Sequence, residues 1–234
     1  MTQIPDYISE DLTCELPSSL RILDMSLPDA ELAPKSCDRA VIIPMFDDAD
    51  RARHIALTFH EAGVITIGMS PVRVDKDVKG FDGIIYTDRY GFEKLVKEMI
   101  RQIELVGPVK IGVSDFPWLL HDNSEITITL CNVYHVDKPI QELLESVNEN
   151  FSRINFGKGN RVALILTINP HESTFTVDEL KRLWQPEQIV PKNVDLIWGV
   201  HFDNTLPNRS AGALTIIAGE KTIGITDEFD DLFD

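Results

Sequence analysis

The sequence predicts an α/β protein in which a parallel α/β half is joined by a long helix to an α+β two-layer sandwich. Three observations support this fold class. Continuous apolar runs, typical of strands buried on both faces, recur along the chain. Apolar residues at helical spacing separate these runs. A longer helical pattern near the middle of the chain ends at a Gly-Pro pair, which divides the two halves.

The first half begins with the apolar run RAVIIPM, which predicts a buried strand. The next segment, FDDADRARHIALTFHEAG, predicts a helix, because Asp47 and Asp48 suit its N-terminal cap and Gly63 suits its end. VITIGM predicts a second strand, so strand, helix and strand form a parallel βαβ unit. The run GIIY adds a strand, and a helix from about Tyr90 to Val106 leads out of this half.

The second half alternates strands with two helices. The runs EITITLCNV, RVALILTI, NVDLIWGVHF and AGALTIIAGE predict four strands, and KPIQELLESVNENF and TVDELKRLW predict the helices. Two helices among four strands favour a two-layer sandwich. The predicted organisation is an irregular N-terminal arm with a short strand within Leu20–Met25 (1–37), the α/β half with the central helix (38–115), the sandwich (116–225) and an acidic tail (226–234).

The charge of the chain restricts its partners. Of its 234 residues, 38 are acidic and 22 basic, giving a net charge of −16. Such a surface repels phosphate backbones and anionic lipids, so we expect no nucleic-acid partner. No apolar run approaches the roughly 18 residues that span a bilayer, and the N-terminus lacks the features of a signal peptide. Cys14, Cys37 and Cys131 are far apart and odd in number, which favours a reducing cytoplasm.

The residues predict no catalytic, cofactor-binding or metal site. The six histidines show no paired-ligand spacing, and no GxSxG or Cys/His nucleophile pattern is present. The segment FGKGNR has glycines beside a lysine, but it lacks the GxxxxGK[ST] pattern of a phosphate loop and lies between a predicted helix and a strand. It therefore predicts a plain turn.

The order of elements and several phrases resemble FtsZ, the GTPase of bacterial and archaeal cell division, in the FtsZ/tubulin-like family. RAVIIPMFDDADRARHIALTFHEAGVITIGM resembles the strand, glycine loop, helix and strand beside the phosphates. GFEKLVKEMIRQIELVGPVKIGVSDF resembles the end of the family's central helix and the loop that reaches the next subunit in a filament. RVALILTINPHESTFTVDELKRLW and NVDLIWGVHFDNTLPNRSAGALTIIAG resemble the smaller C-terminal domain. The resemblance covers about residues 38–219.

One departure from the family concerns the phosphates of GTP. The family holds them with a tandem-glycine loop, GGGTGTG, whose backbone N–H groups approach the phosphates at a helix N-terminus. Here the equivalent stretch, residues 46–50, reads FDDAD, with no glycine and three carboxylates. The family's first strand–helix units and its guanine-contacting segment have no counterpart. The resemblance therefore implies a truncated, divergent member without the N-terminal GTP-binding region, a pseudo-GTPase that needs no cofactor.

A second departure concerns the loop after the central helix. In the family it reads like NxDFADV, and its two acidic residues act on the neighbouring subunit's GTP. Asp115 and Phe116 keep the pattern, but Trp118 replaces the second carboxylate. An isolated aspartate does not reproduce the paired action on water. The alternative for Asp115 is a loop cap, and for Trp118 a local hydrophobic anchor.

These residues define the predicted interaction sites. The resemblance makes Asp115, Phe116 and Trp118 candidates for a filament contact. In the acidic tail, apolar side chains could enter a basic, apolar groove of a partner, and the alternative is a solvated end. The candidates there are Phe229, Leu232 and Phe233.

The sequence favours a non-catalytic, FtsZ-like cytoplasmic protein that acts through protein–protein interaction, for example as a regulator of cell division or of a filament. Its expected partner is a complete FtsZ-like protein or the chain itself. One alternative is a small-ligand-binding protein or an enzyme that reuses the α/β scaffold, with Asp47, Asp48, Asp50 and Arg73 as its polar candidates at the ends of the first strands. Another is a self-assembling structural scaffold.

Overall fold

A computed structural model describes residues 20–73, 79–87, 89–120, 124–156, 159–171, 176–185 and 190–219. The chain divides into two compact units. The first consists of Met1–Lys97 with Gly112–Ile126, and the second of Glu98–Ile111 with Thr127–Asp234. None of the helices in the described ranges has the length and apolar character needed to cross a bilayer.

The first unit contains parallel strands. In spatial order they are β1 (Leu20–Ile22), β2 (Ala40–Pro44), β3 (Ile65–Ser70), β4 (Gly83–Tyr86) and the first residues of β5 (Ser124–Val133), and each neighbouring pair is parallel. The short strand predicted in the N-terminal arm is confirmed by β1. The parallel βαβ unit predicted from RAVIIPM to VITIGM is confirmed by β2 and β3.

Helix α1 (Ala49–Glu61) connects β2 to β3. Of Asp47 and Asp48, which were both predicted to suit the N-terminal cap, Asp48 is the N-cap. Gly63 follows the helix at a φ of 74°, a left-handed conformation that glycine adopts without strain. The apolar stripe of α1 is buried and packs in one cluster with β2. The helix contributes Ala52, Ile55, Ala56 and Phe59 to this cluster, and β2 contributes Val41 and Ile43.

The central helix, α2, begins with an α-helical turn at Arg89–Gly91, continues as a π-helix over Phe92–Val96 and ends as an α-helix at Lys97–Glu104. The predicted helix, about 90–106, agrees with these bounds within two residues, but the π-helical part is unpredicted. In the first unit, a 3₁₀ turn at Val113–Asp115 and the short helix α3 (Phe116–Leu119) follow.

The second unit is the predicted α+β two-layer sandwich. Its elements are the later residues of β5, α4 (Pro139–Ser152), β6 (Arg161–Ile168), α5 (Val177–Leu183), β7 (Asp195–Phe202) and β8 (Ala211–Gly219). The strand order is β5-β8-β6-β7, with β6 parallel to β7 and antiparallel to β8. One apolar core lies between the sheet and both helices and includes Leu143 and Val147 of α4, Leu164 of β6, Leu183 of α5 and Ile217 of β8.

Candidate functional site

The turn after β2 takes the place of the glycine loop in the resemblance. The Asp48 side chain accepts a hydrogen bond from the backbone N–H of Arg51 at 2.9 Å, so it occupies a donor at the N-terminus of α1 that an anion would otherwise use. Asp47 and Asp50 are exposed, and Asp50 pairs with Arg53 at 3.2 Å. The turn therefore presents carboxylates where a phosphate site presents free amides.

Each of the three guanidinium nitrogens of Arg51 donates a hydrogen bond to the loop that follows β1. Its Nε donates to Asp29 Oδ1 at 2.8 Å, and its Nη atoms donate to the carbonyl oxygens of Met25 and Leu27. These bonds attach the 23–32 loop to the first turn of α1. A phosphate near this turn would have to displace them to reach the Arg51 cation.

Arg21 binds the other end of the connection between β1 and β2. Its Nη2 lies 2.7 Å from Asp38 Oδ2, and the Asp38 side chain is 4% exposed. The Arg21 guanidinium also lies 5.3 Å from the centroid of the Phe59 ring, in a cation–π contact with α1. Both ends of this connection are thus bound by arginines on the first unit's own elements.

The remaining residue of the ligand-binding alternative, Arg73, is not joined to the carboxylates of this turn in the described ranges. Its Nη2 lies 3.9 Å from Glu125 Oε2 instead. No group of three or more His, Cys, Asp or Glu side chains in the described part of the chain is placed to hold a metal ion.

A buried hydrogen-bonded chain anchors the residues that follow α2 in the second unit. His201 Nδ1 lies 2.7 Å from the carbonyl oxygen of Gln102, and His201 Nε2 accepts from the backbone N–H of Ile111 at 3.1 Å. Because Nε2 is an acceptor, the proton is assigned to Nδ1 and the ring is neutral. The Gln102 side chain in turn accepts from the Thr167 hydroxyl and donates to Glu98 Oε1 at 2.9 Å.

The protonation of His201 follows from this setting. The residue is fully buried, and burial lowers its pKa, as does the positive charge of Lys110, while the bond to the Gln102 carbonyl oxygen acts to raise it. The net direction is downward from the ordinary value of 6.5. A second proton would also remove the acceptor of the Ile111 N–H.

An ion-pair network lies beside this chain. Arg101 donates to both carboxylate oxygens of Glu98, at 2.8 and 2.5 Å, and to Asp203 Oδ2 at 2.5 Å. The Asp203 side chain is 3% exposed and also accepts two hydrogen bonds from Thr205. Burial raises the pKa of Asp203, but the bonds from Thr205 and Arg101 outweigh it, and the pKa is lowered overall.

The backbone after α2 pairs with β7. Phe202 N donates to the Val106 carbonyl at 2.7 Å and Val200 N to the Val109 carbonyl at 2.9 Å. A Cβ added at Gly107 would lie 1.9 Å from the Val200 carbonyl oxygen. Glycine is therefore required for this close approach, and the 105–111 segment has a fixed path along the strand.

The loop residues predicted from the resemblance lie in the first unit. Asp115 Oδ2 accepts from the Gly112 N–H at 2.8 Å, which closes the turn and matches the loop-cap alternative. Trp118 is half-buried. Phe116 is 2% exposed. An interface role for Asp115, Phe116 and Trp118 stays a prediction, and Phe229, Leu232 and Phe233 lie outside the described residues.

Sequence reasoning missed the residues that make the long-range hydrogen bonds described for the two units. Arg51 and Asp29 are 22 positions apart, and Gln102 and His201 are 99 apart, so no local spacing joins either pair. One local signal existed in α2: Glu98 lies three residues before Arg101 and four before Gln102, a spacing that places all three on one helical face.

Neither protein-family models nor curated proteins gave a match to the sequence. Solved structures did. FtsZ from M. jannaschii, solved as an empty dimer, superposes with a TM-score of 0.54 over 80% of this chain and 68% of that chain, at 12% identity. A single-residue variant of the same FtsZ superposes with a TM-score of 0.52 over 77% of this chain and 64% of that one, at 11% identity. This chain has the FtsZ fold.

The predicted resemblance is therefore confirmed at the level of fold, including its α/β half and its sandwich. A more distant structure is TubZ from Bacillus thuringiensis serovar israelensis, solved as GDP-form protofilaments, with a TM-score of 0.47 and 12% identity over 77% of this chain and 60% of that one. The chain spans about two thirds of the length of the FtsZ chains it matches. The remaining third of the FtsZ chains is not covered by the superposition.

The buried groups beside α2 predict an acid-sensitive FtsZ-like sandwich. The folded pKa of His201 is lowered below 6.5, so the unfolded state binds the proton first and stability falls as pH drops below that value. Glu98 and Asp203 also have lowered pKa values, so their contribution is lost as pH falls below 4.5 and 3.8. Urea unfolding at a series of pH values should show two successive losses.

The first of these two losses of stability comes from His201, and substituting His201 separates it from the second loss. In His201→Gln the side chain no longer titrates, so stability between pH 7 and pH 5 should change less with pH than in the unsubstituted protein. His54→Gln is the matched control, because His54 is exposed on α1 and should leave the profile unaltered. An unchanged slope in His201→Gln would show that another group titrates there.

Proposed function

We propose that this chain is a non-catalytic, FtsZ-like cytoplasmic protein that acts through protein–protein contacts and regulates an FtsZ-type filament in cell division. The observation that carries the proposal is the turn after β2, where Asp48 occupies the Arg51 amide and the 23–32 loop occupies the Arg51 guanidinium. A triphosphate needs both unhindered amides and uncommitted cations.

Electrostatics supports the same conclusion. Each carboxylate of the turn repels an anionic ligand, and Asp47, Asp48 and Asp50 are all exposed. Displacing the loop after β1 would leave Asp29 and two carbonyl oxygens without the donor they have now. GTP binding at this turn is therefore opposed twice, by repulsion and by the loss of existing hydrogen bonds.

The proposed contact surface is the segment after α2. In the FtsZ family, which the sequence resembles, this loop contacts the nucleotide-binding face of the next subunit. Such head-to-tail interfaces extend into filaments. FtsZ from M. jannaschii was solved as a dimer. A chain that keeps the loop face without a working nucleotide face would bind one end of a filament and block the next addition. The turn that Asp115 closes within the first unit favours a preorganised loop around Trp118.

Co-sedimentation with a purified complete FtsZ tests the proposal. Adding this chain at a concentration lower than that of FtsZ should reduce both the mass of pelleted polymer and the rate of GTP turnover, because each bound chain blocks further addition at one filament end. With Trp118→Ala, the concentration needed for the same inhibition should rise by roughly tenfold or more, as expected when an aromatic interface anchor is removed.

Tyr134→Ala is the matched control, because Tyr134 is an aromatic residue of the second unit that is 52% exposed. It should leave the inhibition intact. If neither polymer mass nor GTP turnover responds to the chain at any ratio, the filament role is wrong.

A further inference from the structure

Among the residues that the structure describes, none pairs with the outer edge of β7 along its first half. β7 is the last strand in the order of the second unit, with β6 on one side. On the other side, Val200 and Phe202 donate to residues of the 106–109 segment. Because backbone groups on one side of a strand recur every second residue, those of Leu196 and Trp198 also face this side. Within the described ranges no backbone group pairs with them there.

Two tryptophans lie at this open edge. The rings of Trp198 on β7 and Trp184, just after α5, meet edge to face with centroids 5.7 Å apart. Trp184 is 49% exposed, and Trp198 and Leu196 are partly buried against the core of the second unit. One exposed and one partly buried indole beside a strand edge that the described residues leave unpaired are typical of a surface that binds an extended segment through both backbone and aromatic contacts.

The surroundings of this edge are richer in positive charge than the chain as a whole. Lys181 and Arg182 lie in the last turn of α5, immediately before Trp184, and Lys192 precedes β7. All three side chains are exposed, with Lys181 placed 3.3 Å from Asp178. These three cations outnumber the exposed carboxylates of Asp178 and Asp195, whereas the chain as a whole carries −16, so this edge is a favourable place for an acidic segment.

We propose that residues 226–233 of the same chain bind along the outer edge of β7, beside Trp184 and Trp198. The sequence TDEFDDLF supplies the matching chemistry. It has four carboxylates and no basic residue, and Phe229 and Phe233 recur at an even spacing that places both on one face of an extended strand. This face would contact the indoles, and the carboxylates would lie near Lys181, Arg182 and Lys192.

The register of the sandwich makes the contact reachable within one molecule. Ala218 at the end of β8 pairs with Arg161, and Arg161 pairs with Asp195 at the start of β7. The chain therefore leaves β8 at the end of the sheet where β7 begins, about 10 Å away across two strand spacings. Thr226 comes seven residues after Gly219, and seven extended residues span about 23 Å.

Hydrogen exchange of the full chain tests the proposal directly. In the unsubstituted protein the backbone amides of Leu196 and Trp198 should be protected, although the described residues give them no partner on the outer side. In the double variant Phe229→Ala, Phe233→Ala their exchange should be faster by about tenfold or more. The tryptophan emission should also shift to longer wavelength as Trp184 gains contact with water. Val72→Ala, an exposed apolar residue of the first unit, is the control and should change neither readout.

A second variant changes side chains beside the edge of β7 instead of side chains of the 226–233 segment. Arg182→Glu with Lys192→Glu alters two exposed side chains, and it should cause the same loss of protection. A synthetic peptide of residues 226–234 should restore protection in the Phe229→Ala, Phe233→Ala variant. Equal exchange at Leu196 and Trp198 in all these proteins would overturn the proposal. Protection that disappears on dilution would also overturn it, because the contact would then be between two copies.

Discussion

Replacing Arg101 by alanine is expected to lower the free energy of unfolding by about 2–3 kcal/mol. The guanidinium donates to both oxygens of Glu98 and to Asp203, whose side chain is 3% exposed. Without Arg101, Asp203 keeps the bonds from Thr205 but loses its cation, and a buried carboxylate without a charge partner is costly. Urea unfolding at pH 7 measures the change.

Arg153→Ala is the matched control for this prediction. Arg153 pairs with Glu149 at the usual helical spacing on α4, but both side chains are largely exposed. Such a pair contributes about 0.3–0.5 kcal/mol. Equal losses for the two variants would mean that the Arg101 network stabilises the sandwich no more than a surface ion pair.

Replacing Gly107 by alanine is expected to destabilise the protein by about 3 kcal/mol, the upper part of the range for overpacking. The added Cβ would lie 1.9 Å from the Val200 carbonyl oxygen and 2.7 Å from the His201 Cα. Both neighbours belong to backbone, so neither can rotate away. The segment after α2 would have to leave β7, breaking the bonds of Val200 and Phe202 to this segment.

Gly63→Ala separates this steric effect from the conformational freedom of glycine. Gly63 has a φ of 74° and no atom within 4 Å of an added Cβ, so its replacement costs the left-handed backbone strain alone, about 1 kcal/mol. If thermal and urea unfolding give Gly107→Ala the same small loss as Gly63→Ala, the 105–111 segment does not hold a fixed path on β7.

The elements that could be predicted from the sequence are those whose signal is local. The sequences of β6 and β8 are almost continuously apolar because both faces of these strands are buried. The α1 cap was predicted because Asp48 needs no distant partner. The π-helical part of α2 and the short helix α3 were missed, since the first needs one extra residue in a turn and the second has only four residues.

The candidate site was less predictable than the fold because its decisive contacts join distant positions. The missing glycines of residues 46–50 are visible in the sequence, but the capture of Arg51 by Met25, Leu27 and Asp29 depends on where the loop after β1 returns. His201 likewise sits in an apolar run, and its role depends on Gln102 and Ile111 meeting it in the sandwich. A single sequence carries no signal for either arrangement.

The central claim is that the turn after β2 holds no guanine nucleotide, and isothermal titration of the full chain with GTP and Mg²⁺ measures this directly. The account predicts no binding heat up to millimolar nucleotide and no rise in melting temperature. Binding with a micromolar Kd that is lost in Arg51→Ala, while circular dichroism shows the fold retained, would contradict it. That result would mean that Arg51 exchanges its bonds with the loop after β1 for bonds with the phosphates.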